Sequence, residues 1–412
     1  MRQLLRRLTT TVAVVLGVKL LTVPVVASAA DVRASEATFA ARFPGMEWDV
    51  ASPESQGVDL PKLKAAVGYM DETFGHGGAK QLVIIRNGYL IWKGSQADSC
   101  HVIHSCTKVF TSTCLGLMLD DGKCKLDDLM TEYLPDWGQA YLVYAKVTLR
   151  HLATMTGGTR GKLGYTGPWQ EWGDPVVYVM TPDKPEFSPA GSQVAYQDSN
   201  VHLLGRIVAM HLAHEPLKDL FKRRIADPIG MKQWDWGISG TVEGMIHYNA
   251  AGTPAIKGSG GIQISALELA RFGHFFLNRG YWNGKQLLST SFVDEATHNQ
   301  VPVPTPGRSR KGWSGAYGFY WYTNGVRADG KRRWPAAPAG AYAAEGGGGN
   351  TFFVIPEWNM VVVRLGQGVS DPSMPKPSGQ SDSEQARNTF FAKLADALAQ
   401  GEEPGPGVRA GS

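Results

Sequence analysis

Two residues three positions apart, Ser105 and Lys108, have the types and spacing most suggestive of chemistry in this 412-residue chain. The run 105–121 predicts a helix that ends at Gly122. Residues three apart share a helix face, so the Lys108 amine would stand beside the Ser105 hydroxyl. Serine needs an adjacent base to become a good nucleophile, and a lysine in a dry pocket can take that role. The pair therefore predicts acyl transfer, the alternative being a helix cap with an exposed lysine.

Two other arrangements compete with this pair. A second Ser-x-x-Lys, Ser373 to Lys376, lies among prolines that exclude a helix, which predicts a loop. A histidine triad is disfavoured because the chain has no Gly-x-Ser-x-Gly elbow. His101 and His104 flank Ser105, but a histidine directly before a helix nucleophile is expected to point away from its face.

Further segments follow one another in an order that is specific as a set. They lie at 53–57, 82–88, 126–129, 133–135, 147–157, 260–262 and 270–272. With the Ser105 helix, they make the chain resemble the serine hydrolases of the β-lactamase-like superfamily. Within it the chain looks most like class C β-lactamases, related esterases and 6-aminohexanoate-oligomer hydrolases, from about residue 52 to about residue 398.

The resemblance implies a second box, a tyrosine two residues before an asparagine or a variable residue, which matches Tyr196 and Asp198. A literal Tyr-x-Asn begins at Tyr322, but it lies in the aromatic run 317–322, which predicts a core strand. A free phenol has a pKa near ~10, so Tyr196 needs a cation such as Lys108 nearby to act as a base. The alternative is a tyrosine that packs its ring and leaves its hydroxyl in water.

Asp198 departs from the asparagine form of this box and leaves three interpretations open. A carboxylate near Lys108 would keep the ammonium charged and shift proton transfer to Tyr196. Asp198 facing the substrate would instead favour a cationic group. The third interpretation is a solvated loop aspartate.

The resemblance also implies a third box, Lys-Thr-Gly or a variant, which corresponds to residues 344–349. The lysine is absent and four glycines are present. A backbone N–H at Gly346 or Gly347 is expected to pair with that of Ser105 as an oxyanion hole, unless the glycines form only a flexible turn. Glu345 is expected near the position of a substrate anion, which it would repel. Trp169, in the aromatic segment 165–172, is expected to line the substrate site, the alternative being a packed surface loop.

Residues 1–30 predict a secretory signal, with a basic start, an apolar stretch and a small-residue cleavage site at 27–29. We therefore expect export to the periplasm or beyond, without stable membrane insertion after cleavage. Removal of this segment takes away four basic and no acidic residues, leaving 37 of each sign and changing the formal net charge from +4 to 0. This balance gives no indication of nucleic-acid binding. The sequence leaves the oligomeric state open.

All four cysteines lie around the Ser105 helix, at Cys100, Cys106, Cys114 and Cys124. They could form disulfides after export or remain buried thiols, and the sequence cannot choose between these states. No histidine-containing zinc spacing accompanies them, and neither a metal nor a cofactor is expected.

The predicted fold class is α+β, an antiparallel sheet formed by both chain ends, flanked by helices and carrying a large helical insertion. The domain would span 31–400, with its sheet part at about 50–100 and 300–400, its helical part at about 101–300, and a disordered tail at 401–412. The predicted elements are helices at 60–74 and 383–399, a hairpin at 81–92, and strands at 317–322, 351–355 and 360–365.

The function expected from these observations is that of an exported serine hydrolase cleaving a small-molecule ester or linear amide through an acyl-enzyme on Ser105. A β-lactamase or D-Ala-D-Ala peptidase is the alternative within the same chemistry. A non-catalytic binding protein on the same scaffold is the alternative of another class, since a fold does not fix a function.

Overall fold

A computed structural model describes residues 41–73, 78–135, 142–159, 185–236, 258–307, 313–366 and 379–398. The predicted signal segment, the Ser-x-x-Lys at 373–376, the predicted tail and Trp169 lie outside these ranges. Among the described residues, no helix has both the length and the apolar character that a membrane crossing requires.

The strands of the described residues, in chain order, are β1 Leu82–Arg86, β2 Tyr89–Lys93, β3 His101–Val102, β4 Trp234–Trp236, β5 Ile262–Ile264, β6 Tyr281–Trp282, β7 Lys285–Gln286, β8 Tyr322–Thr323, β9 Tyr342–Gly346, β10 Asn350–Ile355 and β11 Met360–Arg364. The α-helices are α1 Leu60–Thr73, α2 Lys108–Asp120, α3 Met130–Tyr133, α4 Leu149–Ala153, α5 Asp198–Arg206, α6 Leu217–Phe221, α7 Asp227–Ile229, α8 Ala266–Leu277, α9 Thr290–Thr297 and α10 Gly379–Leu398. Two π-helical segments, Ile207–Ala213 and Lys222–Ala226, continue α5 and α6.

The main sheet is antiparallel and has the strand order β2-β1-β11-β10-β9-β8. Strand β1 from the beginning of the domain pairs with β11 from its end, with Ile84 opposite Val362. The two chain ends are therefore joined inside one sheet, as the sequence predicted. Strands β10 and β11 are buried along their whole length because helices cover both faces, which explains their continuous apolar sequences.

Successive residues of β10 point to opposite faces of the sheet. Phe352 faces α8, where its ring lies 6.1 Å from that of Phe272. Phe353 faces α10, where its ring lies 4.7 Å from that of Phe391. Helix α1 packs against α10. Just before α1, the backbone N–H of Asp59 donates to the Ala397 carbonyl at 2.9 Å.

Helix α2, which follows Ser105, is buried from Lys108 to Met118. Phe110 stacks on Phe272 of α8 with a centroid distance of 4.2 Å. Gly116 lets Phe292 of α9 approach closely, since a Cβ at Gly116 would lie 2.5 Å from that ring. The helix is thus held from both sides, which gives the residues at its start a fixed position.

The predicted strand at 317–322 is wrong, although the burial of its aromatic residues is confirmed. Only Tyr322–Thr323 is a strand, and the preceding residues reverse direction, with Gly318 N–H bonded to the Trp321 carbonyl and Tyr320 at a φ of 65°. Close packing explains the turn, because a Cβ at Gly318 would lie 2.1 Å from the Ala296 carbonyl oxygen. The last helix also begins earlier than predicted, at Gly379.

Candidate active site

Ser105 lies in a one-turn 3-10 helix, His104–Thr107, that leads directly into α2. The turn starts at His104, whose φ of 47° is in the left-handed region, a conformation that costs a non-glycine residue roughly 1 kcal/mol or more. Ile103 anchors the turn, since its N–H donates to the Ile262 carbonyl of β5 at 3.0 Å. The Ser105 side chain is half-buried, so its hydroxyl sits at the end of a packed helix with access to solvent.

Three of the predicted site residues meet at the Ser105 hydroxyl. Lys108 Nζ donates to Ser105 Oγ at 2.8 Å, and the Tyr196 hydroxyl lies 2.5 Å from the same oxygen. Lys108 Nζ also lies 4.7 Å from the centre of the Tyr196 ring. The serine oxygen therefore contacts a cation and a phenol together, which is the contact set required for removing its proton.

Asp198 pairs with Lys108 through an Nζ to Oδ1 distance of 2.9 Å. The lysine side chain is 2% exposed and that of the aspartate is 35% exposed. A buried charge needs close partners, and Lys108 has a carboxylate and, at 3.3 Å, the Ser259 carbonyl. This contact is the one that the first interpretation of Asp198 requires, and 35% of the aspartate side chain remains exposed to solvent. The interpretation of Asp198 as a solvated loop residue is therefore wrong.

Tyr196 is placed by the start of α5, whose first residue is Asp198. Its ring packs edge-on against Trp313 at 5.5 Å, and Trp313 stacks on Tyr317 at 4.4 Å. Tyr322, the competing tyrosine, is 4% exposed and packs on the other side of this aromatic cluster. The loop tyrosine is thus the one that contacts Ser105.

The glycines of the predicted third box lie beside the Ser105 turn, at the end of β9. A Cβ at Gly346 would lie 2.2 Å from the Ile103 carbonyl oxygen, so only glycine allows this approach. A Cβ at Gly347 would lie 3.5 Å from the His104 ring. Strand β8 pairs only with Tyr342 and Ala343 at the beginning of β9. The glycine end of β9 therefore extends beyond β8 and lies beside the turn that carries Ser105.

The position predicted for Glu345 is wrong. Its carboxylate accepts from Arg333 at 3.1 and 3.2 Å and pairs with Arg387 of α10 at 3.2 Å. Neighbouring residues of a strand face opposite ways, so Gly346 faces the Ser105 turn and Glu345 faces α10. The carboxylate therefore does not oppose a substrate anion.

Burial shifts the pKa values of three neighbouring groups, Cys106, Tyr320 and His104, in the direction of their neutral forms. Burial raises the pKa of the Cys106 thiol, which remains protonated beside Ser105. Burial, with the charge of Asp198 nearby, raises the pKa of Tyr320, whose hydroxyl donates to the Leu152 carbonyl. Burial also lowers the pKa of His104, which favours the neutral imidazole.

Comparison with known proteins identifies the family of the chain. The Beta-lactamase family model matches residues 81–380, more than half of the chain. The chain belongs to the beta-lactamase family. The resemblance to β-lactamase-like serine hydrolases and the α+β fold class are thereby confirmed.

Relatives of this beta-lactamase family member have several activities in their names. The D-alanyl-D-alanine-carboxypeptidase/endopeptidase AmpH of Escherichia coli K12 is 28% identical over 236 residues. That match covers 52% of this chain and 59% of AmpH, so it spans little more than half of each protein. A beta-lactamase from Pseudomonas fluorescens is 28% identical over 167 residues, covering 40% of this chain and 45% of that protein.

Solved structures share the fold at low identity. A putative 6-aminohexanoate-dimer hydrolase from Bacillus anthracis has a TM-score of 0.58 and 18% identity, covering 85% of this chain and 88% of that chain. A putative beta-lactamase from Bacteroides dorei has a TM-score of 0.61 and 16% identity, covering 81% of this chain and 99% of that chain.

Sequence reasoning missed two contributors to this family member's site. The Ser259 carbonyl, which accepts from Lys108, is a backbone group and leaves no mark on residue type. Trp313, which is 3% exposed, packs against the Tyr196 ring. Its position close to the aromatic run 317–322 was the one feature of the sequence that could have indicated this contact.

Proposed function

We propose that this protein hydrolyses an ester or a linear amide through an acyl-enzyme on Ser105. The observation that supports it most is the Ser105 hydroxyl held within 2.5 Å of the Tyr196 hydroxyl and 2.8 Å of Lys108 Nζ. In this proposal Tyr196 is the base and Lys108 is the cation that stabilises its phenolate. Asp198 keeps Lys108 charged.

The reaction follows from these roles. The Tyr196 phenolate takes the Ser105 proton while the serine oxygen bonds to the substrate carbonyl carbon. The resulting oxyanion is held by the N–H groups of Ser105 and Gly347. Tyr196 then returns the proton to the departing alcohol or amine as the bond to that group breaks. Water, deprotonated by Tyr196, attacks the acyl-enzyme in the same way and releases the acid and free Ser105.

The preference for an ester or linear amide rests on charge. β-Lactams and D-Ala-D-Ala peptides carry a carboxylate, and residues 344–349 supply no lysine to receive it. The half-exposed Asp198 places a carboxylate at the site instead. A like charge disfavours an anionic substrate, so neutral or cationic groups near Asp198 fit this site better.

A D-Ala-D-Ala peptidase is the second candidate. The similarity to AmpH, at 28% identity over 236 residues, favours it. The chemistry on Ser105 would be the same, and the two candidates differ only in how the substrate carboxylate is received.

A substrate panel tests the proposal. It contains short-chain p-nitrophenyl esters, 6-aminohexanoate dimers, nitrocefin and D-Ala-D-Ala peptides, with Ser105→Ala as the inactive variant. Ser112→Ala is the matched control, since Ser112 lies buried on the same helix. We expect ester or linear-amide turnover that Ser105→Ala abolishes and Ser112→Ala retains. Nitrocefin turnover far above ester turnover would make the protein a β-lactamase, and binding without turnover would favour a binding protein.

We also propose export, from the basic start, apolar stretch and small residues of 1–30. N-terminal sequencing of the protein from its native host should find a start near Ala30. An intact Met1 on a cytosolic protein would refute export and leave the site chemistry untouched.

A further inference from the structure

Asn350 connects the glycine end of β9 to the chain that leads into Ser105. It is the first residue of β10 and is completely buried. Its side-chain Nδ2 donates to the Gly347 carbonyl at 2.7 Å and to the Val102 carbonyl at 3.0 Å. Its Oδ1 accepts from the N–H of Gly366 at 2.9 Å. One amide therefore holds three separate segments of backbone.

Two of those segments are the walls of the proposed oxyanion hole. Gly347 supplies one N–H of the hole, and Val102 lies three residues before Ser105, which supplies the other. The backbone of Asn350 joins the same contact, because its carbonyl accepts from the Cys106 thiol at 3.6 Å. Any change in the Asn350 amide would alter the spacing between the two donors.

A second side chain fixes the far end of the glycine turn. Arg364 donates to the carbonyls of Gly348 and Gly349 at 3.2 and 2.8 Å. Glycine lets the turn adopt φ values of 74° and 76° at these two residues. Arg364 therefore holds the turn itself, whereas Asn350 sets its distance from the Ser105 segment.

We propose that Asn350 is a positioning residue for the oxyanion hole, one whose amide sets the separation of the Ser105 and Gly347 N–H groups. The inference rests on the proposed function. Catalytic donors act only when held within about 0.5 Å of the productive geometry. Asparagine is suited to this place because its two N–H donors reach two carbonyls while its oxygen accepts a third bond.

Asn350→Asp is the test, since it preserves shape while replacing both donors by a carboxylate oxygen. The chain supplies a matched control in Asn324, which is also completely buried. Its Nδ2 donates to the carbonyls of Trp334, Ala337 and Pro338, and its Oδ1 accepts from Trp334 N–H. Asn324→Asp therefore makes the same chemical change in a contact that does not reach Ser105.

We expect Asn350→Asp to lower kcat for ester hydrolysis by about 10²–10³, the scale of one lost oxyanion donor, with KM near its original value. An alkyl boronic acid, whose adduct on Ser105 places an oxygen in the hole, should lose affinity in parallel. Asn324→Asp should lower the melting temperature comparably yet keep kcat. Equal kcat losses in both variants, or a normal kcat in Asn350→Asp, would overturn the inference.

Asn350→Ser is the second variant in case Asn350→Asp does not fold, because its hydroxyl is uncharged and too short to reach both carbonyls. Unchanged kcat in that variant would also overturn the inference. Failure of the proposed function is distinguishable, because then either the unaltered protein would show no turnover or Ser105→Ala would retain it, whatever the Asn350 variants do.

Discussion

At the scale of single residues, the proposed mechanism depends on which of Tyr196 and Lys108 removes the Ser105 proton. Asp198 lies 2.9 Å from Lys108 Nζ, and in the proposed mechanism it favours the ammonium, so that Tyr196 acts as the base. The motif with asparagine at this position would lack that charge. The proposed role of Asp198 can therefore be tested separately from that of the nucleophile.

Tyr196→Phe should lower kcat by about 10²–10⁴, the range of general acid–base assistance, because the variant loses the hydroxyl that lies 2.5 Å from Ser105 Oγ. Tyr322→Phe is the control, since Tyr322 begins the literal Tyr-x-Asn but packs in the aromatic cluster. Steady-state ester hydrolysis measures both. A small loss in the first variant and a large loss in the second would return the role to Tyr322.

Asp198→Asn should move the whole pH–rate profile of kcat to lower pH. Without the carboxylate, the buried Lys108 ammonium releases its proton more easily, and the Tyr196 phenolate forms more easily. In the proposed mechanism the rising limb of the profile reports Tyr196 deprotonation and the falling limb reports Lys108 deprotonation. Both limbs therefore move to lower pH. Tyr320, whose pKa is raised by burial, stays protonated in both proteins. Asp121→Asn, which breaks an ion pair at the other end of α2, is the control and should leave the profile in place.

In that experiment the other titratable groups around the site are His202, which contacts Ser259 Oγ through Nε2 at 3.2 Å, together with His104 and Cys106. They are present in both proteins, so the comparison of the two profiles reports the effect of removing the Asp198 carboxylate. An Asp198→Asn profile that coincides with that of the unaltered protein would show that Asp198 has no part in proton transfer.

Gly347→Pro should lower kcat by about 10²–10³, because proline removes the proposed oxyanion N–H. The backbone accepts the change, since Gly346 is extended at φ −131° and ψ 161° and Gly347 is the first residue of a 3-10 turn. Gly347→Ala keeps the N–H and adds a Cβ at an ordinary contact distance of 3.5 Å from His104, so it should retain most activity. Equal activity in the two variants would remove Gly347 from the hole.

At the scale of elements, a buried ionic cluster fastens the glycine-bearing strand to the last helix. Glu345 of β9 is held by Arg333 and by Arg387 of α10, and Arg333 also pairs with Glu384 at 3.2 Å. The side chains of Glu345 and the two arginines are 7–13% exposed. Breaking such a pair leaves uncompensated charge in the core, so the cluster should contribute to stability and not to substrate choice.

Glu345→Gln should lower the free energy of unfolding by about 3 kcal/mol, since two buried arginines lose their shared carboxylate. Asp396→Asn on the same helix, an exposed pair, should cost less than about 1 kcal/mol. Urea unfolding measures both. The ratio of nitrocefin to ester turnover should be unchanged in Glu345→Gln, and a marked rise would mean that the carboxylate does face the substrate.

The elements that the sequence predicted well are those with a clear period or a clear boundary. The β1–β2 hairpin, α1 and the helix after Ser105 have the predicted positions within a few residues. The small sheet β3-β5-β4 was missed because strands of two or three residues are too short to show an alternation of apolar and polar residues. The aromatic run before Tyr322 was misassigned because a buried turn and a buried strand both have a continuous apolar sequence.

At the scale of the whole molecule, the joining of both chain ends in one sheet was predictable from strands at the two ends of the sequence. The contacts between residues of the site were less predictable from the sequence. Spacing predicted the contact of Ser105 with Lys108, and the family resemblance predicted Tyr196. The direction of Glu345 depended on a one-residue register that sequence does not fix. Asn350 could not be found from sequence, since its role comes from three backbone groups that only the fold brings together.

The cysteines show the same limit. The sequence left disulfides and free thiols open, and the structure has all four as free thiols, with Cys100 exposed and the other three buried. Burial raises the pKa of Cys124 to about 12 and that of Cys114 further. Their proximity in sequence reflects their positions on and around one core helix.

The central claim, an acyl-enzyme on Ser105, is tested most directly by trapping it. The protein is treated with a fluorophosphonate or a slowly hydrolysed p-nitrophenyl ester, and intact mass is followed by peptide mapping. We expect one adduct per chain, on the peptide that contains Ser105, and none in Ser105→Ala. An adduct on another residue, or full ester turnover by Ser105→Ala, would contradict the account.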